Sequence, residues 1–140
     1  MSADKQKIQE MYIEYQRLMQ QIQQLQQNLQ EMEKHISDLA RLKNNLNSIS
    51  KIEEGQETLM PLGSGIFIHG EIKNTQQVIM NVGTNICINK TIIEALETVD
   101  NQMNEVSNVA IQMEQEIEKT SSRIEQIQEE FQKINPEEIE

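Results

Sequence analysis

Glu57-Thr58-Leu59-Met60-Pro61-Leu62-Gly63-Ser64-Gly65-Ile66-Phe67-Ile68-His69-Gly70, continued through Val78-Ile79-Met80-Asn81-Val82-Gly83-Thr84-Asn85 to Lys90, is the stretch of this chain whose hydrophobic pattern has a period of two. Ile66, Ile68 and Ile72 share a face with Gly70, and Phe67, His69, Glu71 and Lys73 take the other. The alternation repeats as Val78, Met80 and Val82 against Gln77, Ile79 and Asn81, and again as Ile86 and Ile88 against Cys87 and Asn89, the pattern of short half-buried strands. Leu62-Gly63-Ser64-Gly65 separates a first run, Thr58 to Leu62, from the Ile66 run. Gly83-Thr84-Asn85 separates the Val78 run from the Ile86 run, so the spacing predicts two β-hairpins in series, joined by Asn74-Thr75-Gln76.

On either side the period changes. Apolar residues recur at Ile8, Met11, Tyr15, Leu18, Ile22, Leu25, Leu29, Met32, Ile36 and Leu39, a 3-4 alternation that draws a narrow seam along an α-helix. Leu42, Leu46 and Ile49 then follow at steps of three, four and three, which predicts a locally overwound coil near Leu42. Gly55 is expected to end this helix, with Pro61 keeping the chain extended beyond it. The second seam runs through Ile92, Leu96, Val99, Met103, Val106, Ala110, Met113, Ile117, Thr120, Ile124, Ile127, Phe131 and Ile134, with Thr120 its one polar member. Thr91-Ile92-Ile93-Glu94 has capping-box spacing at its start, and Asn135-Pro136 favours its end.

The predicted fold class is α+β: an N-terminal coiled-coil helix over 1–54, a double-hairpin assembly module over 55–90, a C-terminal coiled-coil helix over 91–135 and a short acidic tail over 136–140. Seams of nearly equal length invite folding back, pairing Leu46 with Leu96, Leu18 with Ile124 and Ile8 with Ile134 in an antiparallel hairpin on the order of 60 Å long at about 1.5 Å per residue. A parallel homodimer with a central bulge would bury the same seams in a longer rod. Two hairpins make too little sheet to close on themselves, so their open edges call for other chains.

Composition narrows the function. The 140 residues are 36% hydrophobic and 3% aromatic with no Trp, which favours an extended, locally packed molecule over one large core. A net charge of −11 with no basic patch argues against nucleic acid and anionic membrane surfaces. One cysteine and the lack of a long apolar run suit the cytoplasm.

No chemistry-bearing constellation emerges. His35 and His69 lie in different elements with no second ligand at metal spacing. Gly63-Ser64-Gly65 reads as a hairpin turn rather than a nucleotide loop, and Asn89-Lys90-Thr91 as strand end and helix cap rather than a glycosylation acceptor. Cys87 has no base beside it, so neither an enzyme nor a cofactor is expected. The glutamines between Gln16 and Gln30 occupy outer helix positions, because the seam passes through them unbroken. The apolar excess falls at the arm tips, where Tyr12 and Ile13 exceed what a two-helix coil can bury and Phe131, Ile134 and Ile139 reach the same end; this is either a frayed tip or a surface for apolar segments of another protein.

In the order helix, two hairpins, helix, and above all in Glu57 to Gly70 and Val78 to Asn85, the chain resembles the alpha-class subunits of prefoldin, the archaeal GimC chaperone. The second hairpin points to the alpha class over the beta class. The resemblance implies two alpha and four beta subunits whose hairpins form a double β-barrel. Six coiled coils hang from it, and their tips hold non-native polypeptides and deliver them, without ATP, to a group II chaperonin. By position, assembly then falls to Leu59, Leu62, Ile66, Ile68, Ile72, Val78, Met80, Val82, Ile86 and Ile88, and client contact to Ile8, Met11, Tyr12, Ile13, Phe131 and Ile134. The competing reading is a coiled-coil scaffold that spaces two proteins and never meets unfolded chains.

Overall fold

The computed structural model describes residues 2–134; the acidic tail, Asn135-Pro136 and Ile139 lie outside the described residues. Helix α1 (Ser2–Ile49) leads into strands β1 (Glu57–Gly63), β2 (Ile66–Glu71), β3 (Gln77–Gly83) and β4 (Ile86–Thr91), and helix α2 (Ile92–Lys133) closes the order. The order helix, two hairpins, helix is the one the sequence predicts. Two compact units divide it: Met1–His35 with Val106–Glu140, and Ile36–Glu105.

In the first unit α1 and α2 pack through Met11, Leu18, Ile124 and Ile127, with Tyr15, Ile22, Phe131 and Ile134 against them. Ile127 is fully buried, a burial worth about 1.5–3 kcal/mol. The helices run antiparallel here. Ile8 shares a groove with Ile134, while Glu14, further along α1, meets Arg123, further back along α2. Thr120 is buried in the seam, and its hydroxyl donates to the Glu116 carbonyl at 2.8 Å, which removes the cost of an unpaired polar group there.

In the second unit Leu39, Leu46, Ile92, Ala95 and Val99 are buried. The expected overwinding near Leu42 is not what the seam does. Leu42 is 42% exposed, and half-buried Lys43 takes the next slot, so Leu39, Lys43 and Leu46 continue the regular alternation of four and three. Nor does α1 reach Gly55. Asn44, Asn45, Asn47, Ser48 and Ser50 are weak helix formers, and the Ser48 and Ser50 hydroxyls donate to the carbonyls of Asn44 and Asn47 at 2.9 and 2.7 Å. The helix therefore stops at Ile49 and tightens into three-residue turns through Ile52. Gly55, at φ 81°, instead turns the chain so that its N–H donates to the Ile72 carbonyl at 2.9 Å.

The two hairpins are one design repeated. Glu57 pairs Glu71 and Gln77 pairs Thr91, and a shift of 20 residues carries each pairing of the first hairpin onto the second, including an irregular step at Pro61/Gly63 and at Asn81/Gly83. Backbone angles repeat as well, since Gly63 and Gly83 lie at φ 123° and 124°, Ser64 and Thr84 at 50° and 44°, and Gly65 and Asn85 at 80° and 62°. Paired residues put their side chains on one face, so Met60 joins Ile66, Ile68 and Gly70 in the first hairpin as Met80 joins Val78, Ile86 and Ile88 in the second. Met60 lies over Gly70: a Cβ there would come 2.8 Å from the Met60 methyl and would push that flexible side chain aside.

Asn74 organises the joint, its Oδ1 accepting the N–H groups of Gln76 and Gln77. The Gln76 carbonyl accepts the Ile92 N–H, and the Thr91 hydroxyl accepts the Glu94 N–H at 3.1 Å, so one residue ends β4 and caps α2.

Candidate functional site

Exposed apolar side chains gather in two places, the hairpins of the second unit and the terminal end of the first. In the hairpins Leu59, Leu62, Ile66, Ile68, Val82, Ile86 and Ile88 are exposed, while Ile72, Val78 and Met80 are half-buried. The register sorts them. Ile66, Ile68, Val78, Met80, Ile86 and Ile88 lie on the faces that carry Met60 and Met80, whereas Leu59 pairs with His69 on the reverse face of the first hairpin, beside Pro61 and Phe67. Met60, Phe67 and Ile79 are exposed apolar residues that the sequence reading left out of the assembly set. Met60 was legible from its alternation with Leu62 and Thr58, but Phe67 and Ile79 sit among polar neighbours on the faces that the period-two pattern marks as solvated.

At the terminal end, Tyr12 and Ile13 are 54% and 65% exposed, and with Ile8 and Phe131 they line an open groove of about 920 Å³. Met11 is buried beneath, and Met11 and Ile134 line a second groove of about 360 Å³ together with Ile8. The structure thus brings all six predicted tip residues into one neighbourhood. Tyr15, a seam residue, forms part of the first groove and meets Phe131 edge to face, with ring centroids 6.4 Å apart at 78°. Tyrosine hydroxyls are tethered by amides: Gln16 donates to Tyr12 at 3.1 Å and Gln128 to Tyr15 at 3.4 Å.

Below this end Arg123 grips Glu14 with two parallel bonds, Nε to Oε1 at 2.9 Å and the far guanidinium nitrogen to Oε2 at 3.1 Å. The Arg123 hydrogen bonds hold the Glu14 carboxyl below its ordinary value against a smaller opposing effect of burial, and Glu14 in turn raises Arg123. In the hairpins, His69 Nδ1 lies 2.9 Å from Glu57 across the strands, both side chains largely exposed. Cys87 is exposed and His35 likewise. Among the described residues no three His, Cys, Asp or Glu side chains are placed to hold a metal ion, and no helix is long and apolar enough to cross a membrane.

Comparison with known proteins follows the same lines. The family described as Prefoldin subunit matches residues 18–137. Prefoldin subunit alpha of Methanopyrus kandleri is 33% identical over 113 residues, covering 81% of this chain and 72% of that one. Prefoldin subunit alpha 2 of Thermococcus kodakarensis is 32% identical over 84 residues, 60% of this chain and 59% of its own length. Prefoldin subunit alpha of Archaeoglobus fulgidus is 27% identical over 137 residues, 98% of this chain and 94% of that one. Among solved structures, a chain of filamentous PFD from Methanocaldococcus jannaschii, determined by cryo-EM, has a TM-score of 0.71 at 23% identity, covering 80% of this chain and 93% of that one, a likeness of fold.

Proposed function

The chain belongs to the prefoldin family as an alpha-class subunit, and from that premise we propose that it is the part of an ATP-independent chaperone that holds non-native polypeptides at its helix tips. Its hairpins join those of beta subunits, in a complex of two alpha and four beta chains, and the loaded complex passes its client to a group II chaperonin in the cytoplasm. The observation that carries this reading is the groove at the terminal end of the helix pair, where Tyr12 and Ile13 stand exposed beside Phe131 on a helix pair whose remaining seam is covered.

Binding there is weak by construction. Apolar burial yields roughly 25 cal/mol per Å², so about 300 Å² at one tip gives on the order of 7 kcal/mol before the cost of ordering a flexible client. Several tips acting on one client raise the effective concentration, so the client is retained yet remains transferable. The hairpins supply the means of gathering tips, since their Met-Ile faces are open in the single chain and a strand edge left bare invites pairing.

The test is the light scattered by a denatured enzyme diluted into buffer. Scattering falls when the chain is supplied together with its beta-type partner, and the fall is lost with Tyr12→Ser and Ile13→Ser while the mass of the complex is unchanged. Scattering that ignores the intact complex favours a scaffold that never meets unfolded chains.

A further inference from the structure

The Met-Ile faces of the two hairpins match slot by slot until their base is reached. Met60 and Met80, Ile66 and Ile86, and Ile68 and Ile88 hold corresponding places, but where the first hairpin sets Gly70 opposite Thr58 the second sets Lys90 opposite Val78. In the first, the Met60 side chain lies down over Gly70, so an apolar group closes the slot. In the second, Lys90 is half-buried, its stem on the same face as Val78 across the pair and Ile88 along the strand. The ion pairs among the described residues join Lys43 to Asp100, His69 to Glu57 and Arg123 to Glu14, and none of them takes up the Lys90 ammonium.

We propose that Lys90 decides what docks on the second hairpin: a hairpin of a beta-type subunit that sets an Asp or Glu against the Lys90 ammonium, a requirement the first hairpin does not make; this rests on the reading that subunits join through the hairpins. A face of Val78, Met80, Ile86 and Ile88 loses its water when it is covered. An ammonium on that face must then be matched by a carboxylate, or else lose its hydration uncompensated. The same charge turns away a second copy of this chain. Neither Met-Ile face carries a carboxylate, since Glu57 and Glu71 pair with each other on the reverse face of the first hairpin. Two second hairpins laid face to face therefore bring like charges together, and a first hairpin laid on a second offers no counter-ion. The first hairpin, neutral at Thr58, Met60, Ile66, Ile68 and Gly70, discriminates by shape alone.

The experiment mixes the full chain with the beta-type prefoldin subunit of the same source. Sedimentation reads the dissociation constant of the complex, and each variant alone is followed for its thermal midpoint and its self-association. Lys90→Glu weakens the complex by more than about tenfold, Lys90→Gln weakens it less, Lys90→Arg stays within about threefold, and all three melt with the unaltered chain. Lysine placed in turn at each Asp and Glu of the beta-type hairpins restores the Lys90→Glu complex at one position, a rescue that a merely structural role for Lys90 does not give. Met80→Ser separates the two readings. If it weakens the complex while Lys90→Gln binds as well as Lys90→Arg, the assignment of Lys90 is overturned and the hairpins remain the joint. If neither Met80→Ser nor any change at Lys90 is felt, both readings fall. A Lys90→Glu chain that differs in self-association and not in the mixed complex gives this face to a second copy, which also overturns the assignment.

Discussion

Lys43 of α1 sets its ammonium 2.8 Å from a carboxylate oxygen of Asp100 on α2. The contact explains how a charged residue holds a seam slot beside an available leucine: the stem of Lys43 covers the interface and its head reaches a partner at the margin, where both side chains keep over two fifths of their surface in water. Leu42→Ser is therefore expected to change stability by less than about 0.5 kcal/mol, as an exposed position does, whereas Leu46→Ala, at a residue 5% exposed, costs about 2–5 kcal/mol. Denaturant melts of the two variants check this, and a Leu42→Ser as costly as Leu46→Ala would restore the overwound seam.

The Glu14–Arg123 pair gives a pH signature. The Arg123 guanidinium holds the folded Glu14 carboxyl below its ordinary value, so its contribution is present above that ordinary value and is lost as the pH falls through the folded one. Thermal midpoints of the protein and of Glu14→Gln should differ near neutrality and converge in acid. A difference that grows on acidification would contradict the sign.

The hairpin register predicts a contrast between neighbours. Met80→Ser lies on the shared Met-Ile face, the one the proposed assembly would bury, and is expected to lose about 1.5–3 kcal/mol of association, more than tenfold in affinity for the partner subunit. Ile79→Ser, one residue away on the reverse face and 74% exposed, leaves the association within about twofold. Mass measurement of the co-expressed complex reads both.

Thr84 is a β-branched residue at φ 44°, a conformation that its side chain disfavours. Thr84→Gly relieves this and stabilises the second hairpin by about 1 kcal/mol. The corresponding Ser64→Gly, at φ 50° without branching, gains less. Amide exchange in β3 and β4 measures the difference.

The seams, both hairpins and the α2 cap were legible because each is a local period or spacing that burial and hydrogen bonding then enforce. Ile92 and Ile124 are buried and Ile134 half-buried as the 3-4 alternation requires, and Thr91 accepts the bond its position predicts. What escaped depended on something other than apolarity. Lys43 in the seam is invisible to a search for hydrophobic residues, and the early end of α1 comes from side-chain hydroxyls competing for carbonyls. The 20-residue repeat is written in the letters at Met60 and Met80, Gly63 and Gly83, Ile66 and Ile86, and Ile68 and Ile88, but pairs such as Pro61 and Asn81 or Gly70 and Lys90 obscure it until the pairing and the φ values align the rest. At the tip, apolarity picked out the six residues but could not sort them between two grooves, which requires knowing that Gln128 and Gln132 flank one while Lys7 and Lys133 flank the other.

The most direct test puts a photoactivatable crosslinking residue in place of Ile13, at the tip, or of Ile111, equally apolar and 51% exposed on α2. The assembled complex is then illuminated with a freshly denatured client. Client adducts that form at position 13 and not at position 111 are the predicted result. Adducts of equal yield at both positions, or at position 111 alone, would contradict a chaperone that holds its clients by the tips.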